Sequence, residues 1–149
     1  MITVLFACVH NAGRSQMAAA WFNALADPMK SRATSAGTHP GSQVHPSVVE
    51  AMREAGIDVV GARPQRLTDA LASQAQWLIT MGCGEECPVV PGVKREDWPI
   101  DDPAAPPIAR VREIRDEIRA LVEAFIARER LAPPESVRSS PADASRRQN

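Results

Sequence analysis

The spacing of apolar residues changes several times along this chain, and each change marks an element. Residues 3–7 form a short, almost unbroken apolar run that ends at Cys8. A run this short, without polar alternation, predicts a strand covered on both faces. From Arg14 to Leu25 the rhythm becomes helical: Met17, Ala18, Trp21, Phe22 and Leu25 fall on one face. Asp27-Pro28 stops that helix. Residues 32–36 predict a second strand, ended by Gly37. Pro46 suits the first position of another helix, with Val48, Val49, Met52 and Ala55 inward and Gly56 closing it. Residues 57–60 read as a short strand or as an extended entry to the next loop. Thr68 can cap a short helix running to Ala75, and residues 77–81 predict a further buried strand. Residues 82–107 are rich in Gly, Pro and charge and read as a long functional loop region. The strongest helical signal covers 108–130, where Ile108, Val111, Ile114, Ile118, Leu121, Val122 and Phe125 draw one stripe.

Strands alternating with helices predict an α/β fold: a single open parallel sheet of about four strands, flanked by helices. The 149 residues suit one domain. Residues 1–130 form the expected catalytic domain, and 131–149, with little that can pack, read as a disordered C-terminal tail. Cys8 and Cys83 each directly follow a predicted strand. In a parallel sheet both positions lie on the carboxyl edge, where open α/β sheets bind ligands.

Net charge is −1, which removes the strongly basic face expected of a nucleic-acid or anionic-membrane binder. No apolar run approaches the roughly 18 residues of a membrane span. The first apolar run is too short for a signal peptide and has no basic leader, so a cytoplasmic location is expected. The three cysteines, Cys8, Cys83 and Cys87, are an odd number, which argues against a structural disulfide framework. In a reducing cytosol disulfides tend to be transient and functional, so each thiol is a candidate for chemistry. No residue cluster has metal-ligand spacing, and no metal site is expected. His39 and His45 read as solvated loop residues.

The segment from Cys8 to Ser15 joins the first strand to the first helix. Its spacing, a Cys and an Arg separated by five residues, makes a compact oxyanion trap. The loop runs into a helix N-terminus, whose free N–H groups and dipole favour negative charge. Successive N–H groups of Val9, His10, Asn11, Ala12, Gly13 and Arg14 can form a nest around the oxygens. Asn11 and Gly13 tolerate the positive φ that a tight ring requires. The Arg14 guanidinium can hold two oxygens at once. The same positive field favours the thiolate of Cys8, and Ser15 can steady the sulfur with a hydrogen bond. His10 reads as a loop-lining residue. A buried core cysteine followed by a helix that merely begins with Arg is the plainer alternative; Asn11 and Gly13 together weigh against it.

These residues resemble the low-molecular-weight tyrosine phosphatase superfamily. The stretch Cys8-Val-His-Asn-Ala-Gly-Arg14-Ser15-Gln-Met-Ala resembles its arsenate reductase branch. Thr34-Ser35-Ala36-Gly37-Thr38 is similar to that branch's second-strand signature. Cys87-Pro88, with Pro91 and Lys94-Arg95-Glu96-Asp97-Trp98, resembles its redox segment, and Asp101-Asp102-Pro103-Ala104 its Asp-Pro loop. The resemblance runs from Thr3 to about Phe125. It implies a low-molecular-weight tyrosine phosphatase-like fold and conversion of arsenate to arsenite in arsenic detoxification. On that resemblance Cys8 attacks arsenate while Asp102, or Asp101 in its place, protonates the departing oxygen. Cys83 then attacks Cys8, arsenite leaves, and Cys87 moves the disulfide outward as Cys83–Cys87. Thioredoxin is the implied external reductant, with no tightly bound cofactor. Thioredoxin-coupled members space the two resolving cysteines further apart, and Gly82 stands nearer the first of those positions; Cys83 is matched to it by function. Some members bind potassium through a Glu in the first helix; Ala19 stands there in this chain, so no such site is implied.

Electron counting fits three thiols. A Cys-Arg loop alone hydrolyses esters, whereas arsenate reduction needs two electrons and hence a further thiol. Gly82 and Gly84 flank Cys83 and lend it mobility. Glu85 and Glu86, between the cysteines, favour protonated resting thiols there. The alternatives are a low-molecular-weight protein tyrosine phosphatase using the same Cys8, Arg14 and Asp102, and a mycothiol-dependent arsenate reductase. The chain has no Tyr, and Ala104-Ala105 follow Pro103, where a phosphatase lines a slot for an aromatic ring. A thiol sensor holding arsenite or zinc is the non-enzymatic alternative, and it has no need of Arg14.

Overall fold

The computed structural model describes residues 1–82, 87–100 and 107–134. Cys83, Gly84, Glu85, Glu86, Asp101, Asp102, Pro103, Ala104 and Ala105, and the tail from 135 onward, lie outside the described residues. The elements are β1 (Ile2–Cys8), α1 (Arg14–Leu25), β2 (Ser31–Gly37), α2 (Pro46–Glu54), α3 (Asp69–Ser73), β3 (Trp77–Thr80), β4 (Lys94–Asp97) and α4 (Ile108–Arg128).

The sheet has the order β2-β1-β3-β4, and every pair is parallel. β1 is central, which explains its continuous apolar run: both faces are covered. Val4, Phe6 and Cys8 turn to the face packed by α1, α2 and α4. Leu5 and Ala7 turn to the other, where they meet Ala72, Ala75, Leu78 and Cys87. The α4 stripe of Val111, Ile114, Ile118, Val122 and Phe125 is buried as the periodicity predicts. Phe125 stacks edge-on to Trp77 at 5.1 Å, and Phe6 lies 5.6 Å from Trp98. Phe6 and Phe125 are fully buried, and each such side chain contributes roughly 1.5–3 kcal/mol. At the surface Arg112 and Arg115 of α4 hold Glu54 of α2 at 2.7 and 3.2 Å. The Arg112 hydrogen bond, against some desolvation, keeps that carboxyl below its usual value. Its contribution is present above the ordinary carboxylate range and is lost as pH falls through the lowered value; at this exposure it is small.

Of the two readings of residues 57–60, strand or extended loop entry, the second is the one found, and the fourth strand lies elsewhere. Residues 57–60 do not join the sheet, because their hydrogen bonds are spent locally. Ile57 N donates back to Met52 O past Gly56, which sits at φ 85 and closes α2, and Val60 N donates to Asp58 Oδ1. The strand is instead Lys94–Asp97, within the stretch read as loop. Its four charged residues carry no apolar period; it is paired with β3 alone at the sheet's edge, where charge discourages further pairing. At the other end the chain continues past α4: Leu131 is buried, and its carbonyl accepts from Asp27 N at 2.8 Å.

The strand order places the site. From β1 the chain moves to β2 on one side, then crosses back to β3 on the other. The switch point of this order falls between β1 and β3, at whose carboxyl ends open α/β sheets bind ligands. Cys8 ends β1, and Gly82 lies two residues beyond β3.

Candidate active site

The loop after β1 is held by its carbonyls. Cys8 O accepts from Thr38 N (3.2 Å), Val9 O from His39 N (2.7 Å), His10 O from Gly41 N (2.9 Å) and Ala12 O from His45 N (2.9 Å). Gly13 O accepts from Met17 N at 3.0 Å and Asn11 O from Gln16 Nε2 at 3.0 Å. All six carbonyls from Cys8 to Gly13 are thus turned outward. In a planar trans peptide the next N–H points the opposite way. The N–H groups of Val9, His10, Asn11, Ala12, Gly13 and Arg14 therefore face away from these partners, toward the concave side of the loop. Such a row of N–H groups at a helix start is an anion receptor.

The strap of residues 38–45 can lie this close because β2 ends in glycine. A Cβ on Gly37 would sit 2.6 Å from Val9 O and 2.9 Å from Asn11 N. In the sequence Gly37 reads as a strand stop and as part of the second-strand signature, with no sign of this close approach. Asn11 takes φ 51, the positive value expected of it. Gly13 does not: as the residue before α1 it has φ −140. One reversal, at Asn11, is enough to close the ring.

Asn11 also orders the sulfur's surroundings. Its Oδ1 accepts from Gln65 N at 3.0 Å, a bond that only an oxygen can make, so its Nδ2 must be the atom 2.7 Å from Ser15 Oγ. Ser15 Oγ accepts there, which leaves its own hydrogen to donate to Cys8 Sγ at 2.9 Å. Asn11 and Ser15 are fully buried and Cys8 nearly so, and Cys8 is a free thiol. The sulfur thus receives a hydrogen bond from a buried hydroxyl. Arg14, also buried, donates from Nη1 to Ile100 O at 3.1 Å.

Residues 3–136 match the profile of the low molecular weight phosphotyrosine protein phosphatases. The chain belongs to that family. Arsenate reductase 2 of Staphylococcus haemolyticus (strain JCSC1435) is 34% identical over 131 residues, covering 85% of this chain and 97% of that one. A solved Corynebacterium glutamicum thioredoxin-dependent arsenate reductase is 39% identical with a TM-score of 0.70. The match covers 83% of this chain and 61% of that protein, so this chain spans less than two thirds of it. A solved arsenate reductase in the phosphate binding state is 30% identical, with a TM-score of 0.73 over 86% of this chain and 98% of that one.

In this member of the phosphatase family, Cys8, the loop residues Val9 to Gly13, Arg14 and Ser15 lie together between β1 and the first turn of α1. Val9 is half-buried, Ala12 buried and His10 exposed. The His10 ring meets a carbonyl, His39 O, at 3.0 Å, so Nδ1 carries a hydrogen and donates. Cys87 is buried and disulfide-bonded. It lies in the cluster on the opposite face of the sheet from Cys8, and Arg95 Nη1 donates to Cys87 O and Pro88 O at 3.4 Å. Cys83, Asp101 and Asp102 lie outside the described residues. Ala19, the position considered for a potassium ligand, is a buried residue of α1. Among the described residues no three His, Cys, Asp or Glu side chains gather as a metal site, and no helix is long and apolar enough to cross a membrane. Sequence reasoning missed Gln16 and Gln65. The advance signal for Gln16 was a polar side chain inside the first turn of an amphipathic helix; Gln65 reaches Asn11 through its backbone N–H, which carries no residue signature.

Proposed function

We propose that this chain reduces arsenate to arsenite with the Cys8 thiolate, and that Cys83 and Cys87 carry the electrons. The observation that carries this reading is a ring of six inward N–H groups closing on a free, buried thiol that receives the Ser15 hydrogen. Cys8 displaces one arsenate oxygen, forming an As–S bond, and the oxygen leaves as water with a proton from Asp102. Cys83 attacks the Cys8 sulfur and the S–As bond breaks. Its electron pair goes to arsenic, which falls from As(V) to As(III) and departs as arsenite. The Cys8–Cys83 disulfide is attacked by Cys87, which returns Cys8 as thiolate, and the dithiol of thioredoxin reduces the resulting pair.

Two facts support the relay. Cys87 is half of a disulfide from which Cys8 is excluded, and it packs on the other face of the sheet, so it needs an intermediary to reach Cys8. Relatives at 30–39% identity are arsenate reductases, one of them thioredoxin-dependent. Electrons carried by thiols require no tightly bound cofactor, and a thioredoxin partner places the enzyme in the cytoplasm. The family match favours aryl phosphate hydrolysis as a second activity of the same loop, since the first step is shared. The test is arsenate-dependent NADPH oxidation. Turnover with thioredoxin and its reductase is expected; turnover only with glutaredoxin or mycothiol would replace the internal relay with an external thiol.

A further inference from the structure

Five of the six outward carbonyls in the Cys8 loop are held by backbone N–H groups: Thr38, His39, Gly41, His45 and Met17. The sixth, Asn11 O, is held by a side chain, Gln16 Nε2. The Asn11–Ala12 peptide is therefore the one whose orientation depends on a replaceable group. Gln16 is buried in the first turn of α1. Its Nε2 meets three oxygens: Asn11 O at 3.0 Å, Asn11 Oδ1 at 3.2 Å and Arg63 O at 3.2 Å. All three are acceptors, so the amide orientation is fixed, and its two hydrogens are shared among them. Asn11 Oδ1 also takes the Gln65 N–H at 3.0 Å.

We propose that Gln16 is a positioning residue for both halves of the active-site loop. By holding Asn11 O outward it aims the Ala12 N–H at the oxyanion. By holding Asn11 Oδ1 it fixes Asn11 Nδ2 on Ser15, and so the Ser15 hydrogen on the Cys8 sulfur. It also ties this loop to residues 63–65, which have no other side-chain anchor from α1 among the described residues. A residue that only joined α1 to that segment would affect stability alone. Gln16 touches neither substrate nor sulfur and acts through Asn11. The inference rests on the reading of the Cys8 loop as an oxyanion and thiolate site, and is independent of whether arsenate is reduced there.

The test uses Gln16→Met, which keeps length and loses the donor, in the full chain. Inorganic phosphate affinity is measured by calorimetry, and the pH dependence of Cys8 alkylation by iodoacetamide with the label located by mass spectrometry. Phosphate affinity should fall about tenfold, the scale of one lost buried hydrogen bond, and the alkylation midpoint should move to higher pH. Wild-type affinity and midpoint in Gln16→Met, whatever its melting temperature, would overturn the proposal. If Gln16→Met does not fold, Gln16→Glu keeps the amide's shape. Its affinity relative to wild type should recover as pH falls and the carboxyl gains a hydrogen to donate; a ratio of one at every pH would overturn the proposal. A wild-type protein that binds no phosphate, and whose Cys8 phosphate does not protect, would overturn the oxyanion-site reading itself.

Discussion

Gly82 lies directly against the guanidinium of Arg14: a Cβ at this position would overlap Arg14 Nη1. The same nitrogen donates to Ile100 O. Gly82 immediately precedes Cys83, and Ile100 immediately precedes Asp101 and Asp102. The two segments that carry the remaining proposed groups therefore both depart from contacts with one buried arginine. Arg14 joins the oxyanion loop to the start of each.

The first prediction follows from that contact. Gly82→Ala must place a methyl where Arg14 Nη1 lies, at a residue with φ 95. The backbone cost is on the order of 1 kcal/mol, and the larger effect is a displaced guanidinium. Phosphate affinity should fall tenfold or more, about the worth of one charge-assisted hydrogen bond, with a modest drop in melting temperature. Calorimetric titration alongside thermal unfolding checks this. Unchanged affinity would show that Arg14 tolerates the methyl and is not fixed by Gly82.

The second prediction concerns the nucleophile and its clamp. Cys8→Ser should abolish arsenate reduction and aryl phosphate hydrolysis together, because both begin at the same sulfur. Either activity surviving near the wild-type rate would remove Cys8 from that chemistry. Arg14→Lys should also be severe, since an ammonium cannot reproduce a planar fork. Steady-state assays of both reactions on both variants decide the matter.

How much of this was legible beforehand depends on what kind of signal each feature carries. The Cys8 loop, the stripe of α4 and the buried strands β1 and β3 were readable because each repeats a pattern in apolar or motif residues. β4 was not: Lys94-Arg95-Glu96-Asp97 has no apolar period, and only pairing with β3 makes it a strand. The positive φ at Asn11 was foreseen, but the one expected at Gly13 was not needed. The outward carbonyls could not be read at all, because their partners in residues 38–45 are backbone groups with no residue signature. Gln16 was quoted within the motif, but two of its acceptors depend on how Asn11 folds back and the third, Arg63 O, comes from distant chain.

The third prediction assigns the acid. Ile100, whose carbonyl accepts from Arg14, immediately precedes Asp101 and Asp102 in the chain. Asp102→Asn should slow the first chemical step roughly 10²–10⁴-fold, the scale of a lost general acid. Single-turnover rates with arsenate and with an aryl phosphate measure it. A mild Asp102→Asn beside a damaging Asp101→Asn would move the role by one residue.

The last prediction separates reduction from hydrolysis. Hydrolysis is redox-neutral and needs only Cys8, whereas reduction must place two electrons on arsenic. Cys83→Ser should therefore stop arsenate turnover and leave aryl phosphate hydrolysis largely intact. Cys87→Ser should release one arsenite per enzyme and then stall as a Cys8–Cys83 disulfide, because nothing remains to move that bond outward. Cys8 and Cys87 pack on opposite faces of the sheet, and the proposed relay uses Cys83 as the thiol between them. Mass spectrometry of the alkylated protein after a single turnover identifies which pair has formed. Full turnover with thioredoxin in both serine variants would rule out the internal relay. Turnover in those variants with mycothiol or glutathione alone would assign the second thiol to solution.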